Sequence, residues 1–231
     1  MDEIVMKKRS VVIVAGGKGL RAGGELPKQF RLIGGKPMLM RTIVAFYRFD
    51  HSMKIVVVLP EAFIELWNEL LHQYDFIISH TVVPGGETRF HSVRNGLAEV
   101  ADDEIVGIHD AARPFVSHDV IERCYREASD FGCGVIPVIG EVNSVRIISG
   151  YESKPFDRTL IRIVQTPQVF PADLLKNAYN APFQDAFTDD ASVAEMDGVQ
   201  IKLTEGDEIN IKVTTSFDLK MANFMLSEKP A

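Results

Sequence analysis

The chain has 231 residues, of which 46% are hydrophobic and 25% charged. That suits one large domain or two small ones, needs no disulfide or metal to fold, and excludes a disordered chain. Thirty-two acids against 25 bases give a net charge of −7, which argues against a dedicated nucleic-acid binder but not against an anionic small substrate met by a local cluster of bases. Cys124 and Cys133 form neither a disulfide framework nor a zinc spacing, so free thiols in a cytoplasmic protein are expected. No apolar run approaches the ~18–20 residues of a membrane span. The run after Lys7, Lys8 and Arg9 is too short for a signal-peptide core.

Along the chain, short β-branched runs alternate with amphipathic stretches. Val11–Ala15, Ile55–Leu59, Ile77–Val83, Glu104–His109 and Gly134–Val138 are predicted strands, and their near-continuous apolar character fits parallel strands covered on both faces. Pro37–Phe49, Glu61–Tyr74, Thr88–Val100 and Ser117–Phe131 carry helical spacing. The pattern changes over 139–168, where Val142–Ile148 and Leu160–Gln165 are predicted to flank a polar loop as a hairpin-like arm. It then resumes with a helix from Pro171, a capped helix over Thr188–Met196, strands at Val199–Glu205 and Glu208–Val213, and a final helix. That last helix opens on Thr215 and Asp218 at capping-box spacing. Repeated β-α-β units predict a three-layer α/β/α, Rossmann-like sandwich with a mostly parallel sheet, as a single domain over 1–231 with a protruding β-arm.

The first strand runs into Ala15-Gly16-Gly17-Lys18-Gly19-Leu20-Arg21-Ala22-Gly23-Gly24. Clustered glycines let main-chain N–H groups approach a polyanion, and Arg21 and Lys28 add positive charge. The carboxyl end of a strand in an open α/β sheet is where ligands bind. Gly17-x-Gly19-x-x-Ala22 meets the dinucleotide fingerprint only in part, because no helix follows at once and no acid stands about 20 residues on. A Walker A loop is excluded because Gly19 follows Lys18. A nicotinamide-dependent oxidoreductase and a non-catalytic nucleotide-binding module are therefore the remote alternatives.

Ala15-Gly-Gly-x-Gly-x-Arg21 and Leu26-Pro-Lys28-Gln-Phe30 are followed in order by several further motifs. These are Gly85-Gly-Glu-Thr-Arg89-x-x-Ser92, His109-Asp-Ala-Ala-Arg-Pro114, Asp157-Arg158, Gln165-Thr-Pro-Gln168, Thr188-Asp-Asp-Ala-Ser192 and Asn210-Ile-Lys-Val-Thr214. Together they span nearly the whole chain and resemble the cytidylyltransferases that act on polyol phosphates. Ala111-Ala112-Arg113, Asp157-Arg158 and Thr188–Ser192 fit the methylerythritol-phosphate branch. Ala15-Gly16-Gly17 and Asn210–Thr215 lean to the ribitol-5-phosphate branch, which is the alternative. The resemblance implies transfer of a cytidylyl group from CTP to a polyol phosphate, with release of pyrophosphate and with Mg²⁺ or another divalent cation.

It also implies roles for residues. Arg21 and Lys28 would stabilise charge on the α-phosphate, and Lys212 and Arg158 would position the attacking phosphate. Ala15, Gly16, Gly17, Gly19 and Lys28 would hold the nucleotide; Gly86, Glu87 and Ser92 would read the cytosine edge. Asp110 would meet the ribose, a substrate hydroxyl or the metal, and Arg113 the polyol or its phosphate. Ser144, Thr166 and Thr188 would lie near the polyol. Arg158 sits on the arm, which in this family reaches a partner subunit, so a homodimer is expected. The bases fit the chemistry: the attacking phosphate is already anionic, so the protein's task is positioning and charge stabilisation. His109 is expected to be a packing residue, and Asp189 and Asp190 to sit in a first helical turn where the dipole favours acids.

Overall fold

A computed structural model describes residues 7–16 and 27–227. In chain order the elements are β1 (Arg9–Val14), β2 (Leu32–Ile33), β3 (Lys36–Pro37), α1 (Met38–Phe49), β4 (Lys54–Leu59), α2 (Ile64–Gln73), β5 (Thr81–Pro84), α3 (Arg89–Leu97), β6 (Ile105–Asp110) and α4 (His118–Phe131). They continue with β7 (Gly134–Gly140), β8 (Val145–Ser149), β9 (Glu152–Phe156), β10 (Arg162–Val164), β11 (Gln168–Pro171), α5 (Ala172–Ala178), α6 (Asp190–Met196), β12 (Ile201–Glu205) and α7 (Ser216–Ser227).

The main sheet has eight strands in the order β10-β7-β11-β6-β1-β4-β5, with β12 beside β7. β6, β1, β4 and β5 are mutually parallel, whereas β11 runs antiparallel between β6 and β7. Alternation along β1 divides the core. Val11 and Ile13 pack with α1, α2 and α4 through Leu39, Ile43, Phe46, Trp67 and Ile121. Val12 and Val14 pack on the opposite face with Phe90, Val93 and Tyr179 from α3 and the α5 region. Two dry faces explain why the central strands are apolar throughout. Helix α3 lies so close to the sheet that a Cβ on Gly96 would stand 2.4 Å from Val12 Cγ1 and 2.9 Å from Val58 Cγ2. The three-layer α/β architecture and mostly parallel centre agree with the sequence expectation.

Three expected elements differ. Ile77–Val83 forms a strand only from Thr81, because Ile77 is 94% exposed and has no core to enter. Glu208–Val213 forms no strand; two side chains and one main-chain bond hold it and the residue before it instead. Gln165 Nε2 donates to the Asp207 carbonyl at 2.8 Å, Arg113 Nη1 to the Asn210 carbonyl at 2.7 Å, and Val213 N to the Ala112 carbonyl at 2.8 Å. The arm also pairs differently. β8 pairs with β9, in the stretch expected to be a polar loop, and the two form their own sheet, while β10 joins the main sheet against β7. The projecting part is therefore residues 141–161. β9 has no core-facing residue and carries Pro155, so it has little of a strand's usual pattern.

Candidate active site

The strands β1, β4, β5 and β6 deliver their carboxyl ends to one cavity of about 390 Å³, within the range of small-molecule sites. Ala15 and Gly16 follow β1, Lys28 comes from the 3₁₀ turn Lys28–Phe30, Gly86 and Glu87 come from the turn between β5 and α3, and Ser92 from the first turn of α3. Asp110 ends β6, and Lys212 approaches from the 207–213 segment. A second cavity of about 280 Å³ is lined by Arg113, Thr166 and Thr188. Arg89, Asp110 and Lys212 line both cavities and form the wall they share.

The turn after β5 is held by the first turn of α3. Ser92 Oγ accepts from Gly86 N at 3.1 Å and donates to the Thr88 carbonyl at 3.0 Å. Thr88 caps α3. A Cβ on Gly86 would stand 3.0 Å from the backbone carbon of His91, so only glycine fits there without movement. Ser92 thus shapes the turn, its hydroxyl being engaged within it.

Asp110 is the electrostatic centre. Its carboxylate lies 2.6 Å from Lys212 Nζ, 3.6 Å from Arg89 Nε and 4.0 Å from Arg113 Nε. Burial pushes its pKa upward, but Arg89, Lys212 and Arg113 overcome that and hold it well below the usual carboxylate range. Arg113 spends Nη1 on the Asn210 carbonyl and Nη2 on the Val164 carbonyl, at 2.7 and 3.2 Å. Burial lowers the pKa of its guanidinium, and Asp110 opposes that.

Thr166 and His109 fasten Asp110 from behind. Thr166 Oγ1 accepts from Asp110 N at 3.1 Å and pairs with His109 Nδ1 at 3.1 Å, while His109 Nε2 pairs with the Arg113 carbonyl at 3.1 Å. One proton arrangement satisfies all three contacts: Nε2 donates, and the Thr166 hydroxyl donates to Nδ1. Burial keeps the imidazole neutral and lowers its pKa to about 4. His109 is a satisfied packing residue, as expected, and the hydroxyl of Thr166 is used inside the protein.

The structure therefore gathers Ala15, Gly16, Lys28, Gly86, Glu87, Ser92, Asp110 and Lys212 on the larger cavity, and Asp110, Arg113, Thr166, Thr188 and Lys212 on the smaller. Ser144 and Arg158 lie exposed on the arm and line neither cavity of their own chain; the Arg158 guanidinium donates to the Val142 carbonyl. Gly17, Gly19 and Arg21 lie outside the described residues. Asp189 caps α6 in a reciprocal box with Ser192, which matches its structural assignment. Sequence reasoning gave no role to Arg89. It stood in a quoted motif, but its carboxylate partner Asp190 is 101 residues further along the chain.

The model of the 2-C-methyl-D-erythritol 4-phosphate cytidylyltransferase family matches residues 10–228. The chain belongs to that family. It is 56% identical to the 2-C-methyl-D-erythritol 4-phosphate cytidylyltransferase of Bacteroides fragilis, over 94% of this chain and 99% of the relative. It is 53% identical to that of Phocaeicola vulgatus, with 94% and 99% covered. Among solved structures, the Francisella tularensis 2-C-methyl-D-erythritol 4-phosphate cytidylyltransferase superposes with a TM-score of 0.78 at 32% identity, covering 94% of this chain and 99% of that one. The Anaerococcus prevotii 4-diphosphocytidyl-2C-methyl-D-erythritol synthase gives 0.80 at 27% identity, with 96% and 99% covered. The family match spans every residue of both cavities.

Proposed function

We propose that this enzyme joins CTP to 2-C-methyl-D-erythritol 4-phosphate, giving 4-diphosphocytidyl-2-C-methyl-D-erythritol and pyrophosphate in isoprenoid precursor synthesis. The observation that carries this reading is the pair of cavities meeting at Arg89, Asp110 and Lys212. Two anionic reactants must converge on one phosphorus, and the shared wall is where they would meet. The larger cavity would take the nucleotide, its base against Gly86 and Glu87 and its phosphates toward Gly16 and Lys28. The smaller would take the polyol phosphate near Arg113 and Thr188.

In the reaction an oxygen of the polyol's phosphate bonds to the α-phosphorus of CTP. The bond from that phosphorus to the bridging oxygen of the β-phosphate breaks, and pyrophosphate carries the electron pair away. The nucleophile is already an anion, so no base is needed. Lys212 exchanges Asp110 for the incoming phosphate and draws it to the phosphorus. Lys28, and Arg21 by its place in the motif, would offset charge on the five-coordinate centre. Lys212 is more than a third exposed, on a segment outside the sheet, whereas Asp110 is fixed on a sheet strand.

A divalent cation such as Mg²⁺ would be held by Asp110, in the place Lys212 leaves on its carboxylate. Among the described residues no three His, Cys, Asp or Glu side chains cluster as a metal cage. Mg²⁺ commonly takes one or two carboxylates plus substrate phosphates, and Asp110, ionised and on the wall of both cavities, would be the one carboxylate here. Bound there, the ion would neutralise phosphate charge.

The homodimer belongs to the same reading. Val142, Ile148 and Leu160 are exposed apolar residues of the arm, and a second copy related by a two-fold axis would cover them while bringing Arg158 and Ser144 to its partner's cavity. The free thiols Cys124 and Cys133 support a reducing, cytoplasmic setting. Among the described residues no helix is long and apolar enough to cross a membrane. The test is pyrophosphate release from CTP with methylerythritol phosphate and ribitol 5-phosphate supplied separately. Release with the first is expected; release with ribitol phosphate alone would overturn the substrate assignment.

A further inference from the structure

Behind the shared wall lies a charged chain that touches neither cavity except through Arg89. Asp190, the first residue of α6, has no exposed surface. Arg89 grips both its oxygens, Nη1 to Oδ1 at 3.0 Å and Nη2 to Oδ2 at 2.7 Å. The Tyr179 hydroxyl, just past α5, donates to Oδ1 at 2.7 Å. Phe90 stacks on Tyr179 at 4.7 Å between centroids and fixes the ring in turn. The free edge of the Arg89 fork, Nε, faces Asp110 Oδ1 at 3.6 Å, an ion-pair separation rather than a hydrogen bond.

A buried ion pair is weak evidence for stability, since apolar side chains of similar volume often do as well. What a two-pronged fork supplies is direction. Asp110 needs a holder of this kind. Lys212 is its nearest cation, and the proposed mechanism takes Lys212 away to a phosphate. Arg113 stands 4.0 Å off with its Nη atoms on backbone carbonyls. Arg89 is the nearer of the two cations left at Asp110 among the described residues, and it is aimed by a carboxylate with no exposed surface for a substrate to reach.

We propose that Tyr179 and Asp190 are positioning residues: through the Arg89 fork they hold Asp110 in place at the junction of the two substrate cavities when Lys212 departs. This rests on the function proposed above. A misplacement of about 1 Å at a reacting centre can cost on the order of 100-fold in rate, so the effect belongs in kcat.

The experiment uses the full chain, with CTP, methylerythritol phosphate and Mg²⁺, and compares Asp190→Asn, Tyr179→Phe and the double variant. Asp190→Asn keeps the shape but loses the charge; its kcat is expected to fall at least about tenfold, with KM for CTP within about twofold. Tyr179→Phe is expected to lower kcat about two- to fivefold in the same way. The double variant should be no slower than Asp190→Asn alone, because both act through one chain of contacts. Circular dichroism and urea unfolding give the folded fraction, by which kcat is normalised. Should Asp190→Asn fail to fold, the Tyr179→Phe kcat decides. An unchanged kcat per folded molecule, a loss confined to KM, or a double variant slower by the product of the two effects overturns the proposal. A wild-type protein that releases no pyrophosphate from these substrates overturns the underlying function instead.

Discussion

The cavity wall and the arm are built on opposite plans. At the wall, the polar atoms of His109, Asp110 and Thr166 find partners inside the same chain, and the strand beneath them has no exposed residue. On the arm, β8 and β9 pair only with each other, and Ile148 is 76% exposed. Burial makes each contact at the wall strong, because low dielectric magnifies both a satisfied charge and an unsatisfied one. The arm has no such support, so its geometry depends on what it meets. The wall is preorganised by its own chain, whereas the arm presents apolar residues that its own chain leaves exposed.

The largest effect should come from removing a cation at the wall. Lys212→Met is expected to lower kcat by roughly 100- to 1,000-fold, the usual scale for one electrostatic stabiliser, and Lys28→Met by a similar factor. Steady-state pyrophosphate release measures both. Retention of more than a tenth of wild-type kcat in Lys212→Met would break the comparison, by showing that the wall does not supply the catalytic charge.

The arm enters next. Arg158→Ala is expected to lower kcat by about 10- to 100-fold although it lines no cavity of its own chain. Mixing it with Lys212→Met sharpens the point. In a two-fold dimer with shared sites, random pairing restores about a quarter of the sites, since half the dimers are mixed and each mixed dimer has one intact site. A mixture no more active than its components would mean that Arg158 acts within its own chain, or not at all.

These two regions also differ in how far the sequence reveals them. β1, β4 and β6 are visible because two covered faces demand apolar residues at every position, and a glycine-rich turn at a strand end already marks a ligand site. The run at Ile77 has the same composition without the burial, so composition alone misplaces the strand start. The 207–213 segment shows alternation, yet Gln165 and Arg113 hold its backbone, a long-range fact with no local trace. Lys212 lines both cavities all the same, and the motif that points to it needs no strand to do so. β9 has no inward face and so leaves no pattern. The Arg89–Asp190 fork joins elements whose local sequences say nothing of each other.

The wall should also carry a pH signature that the arm lacks. His109 has an ordinary pKa of 6.5 and is pushed to about 4 by burial. The folded form therefore resists protonation, and the stability it contributes is complete above pH 6.5 and is lost as pH falls toward 4. The slope approaches about 1.4 kcal/mol per pH unit within that window. Asp110 adds nothing there, because its folded pKa lies below the ordinary 3.8 and its stabilisation is lost only under that value. Urea midpoints at pH 7, 5.5 and 4.5 measure the slope. His80, whose pKa burial also lowers, adds a slope of the same sign, so a flat profile between 6.5 and 4.5 would mean that neither imidazole is sealed and that His109 titrates normally.

The smallest effect on monomer stability should come from the arm's apolar face, and its smallness is the informative part. Ile148→Ser with Tyr151→Ser removes two exposed apolar side chains whose own chain gives them little to pack against. Surface changes of this kind stay within about 0.5 kcal/mol, so urea unfolding extrapolated to low protein concentration should barely move. Sedimentation velocity should change instead, from a dimer to a species of about half the mass, and kcat should fall with it, because each site loses its partner's Arg158. A drop of several kcal/mol without change of mass would place the arm against its own domain, making it part of the same self-contained fold as the wall.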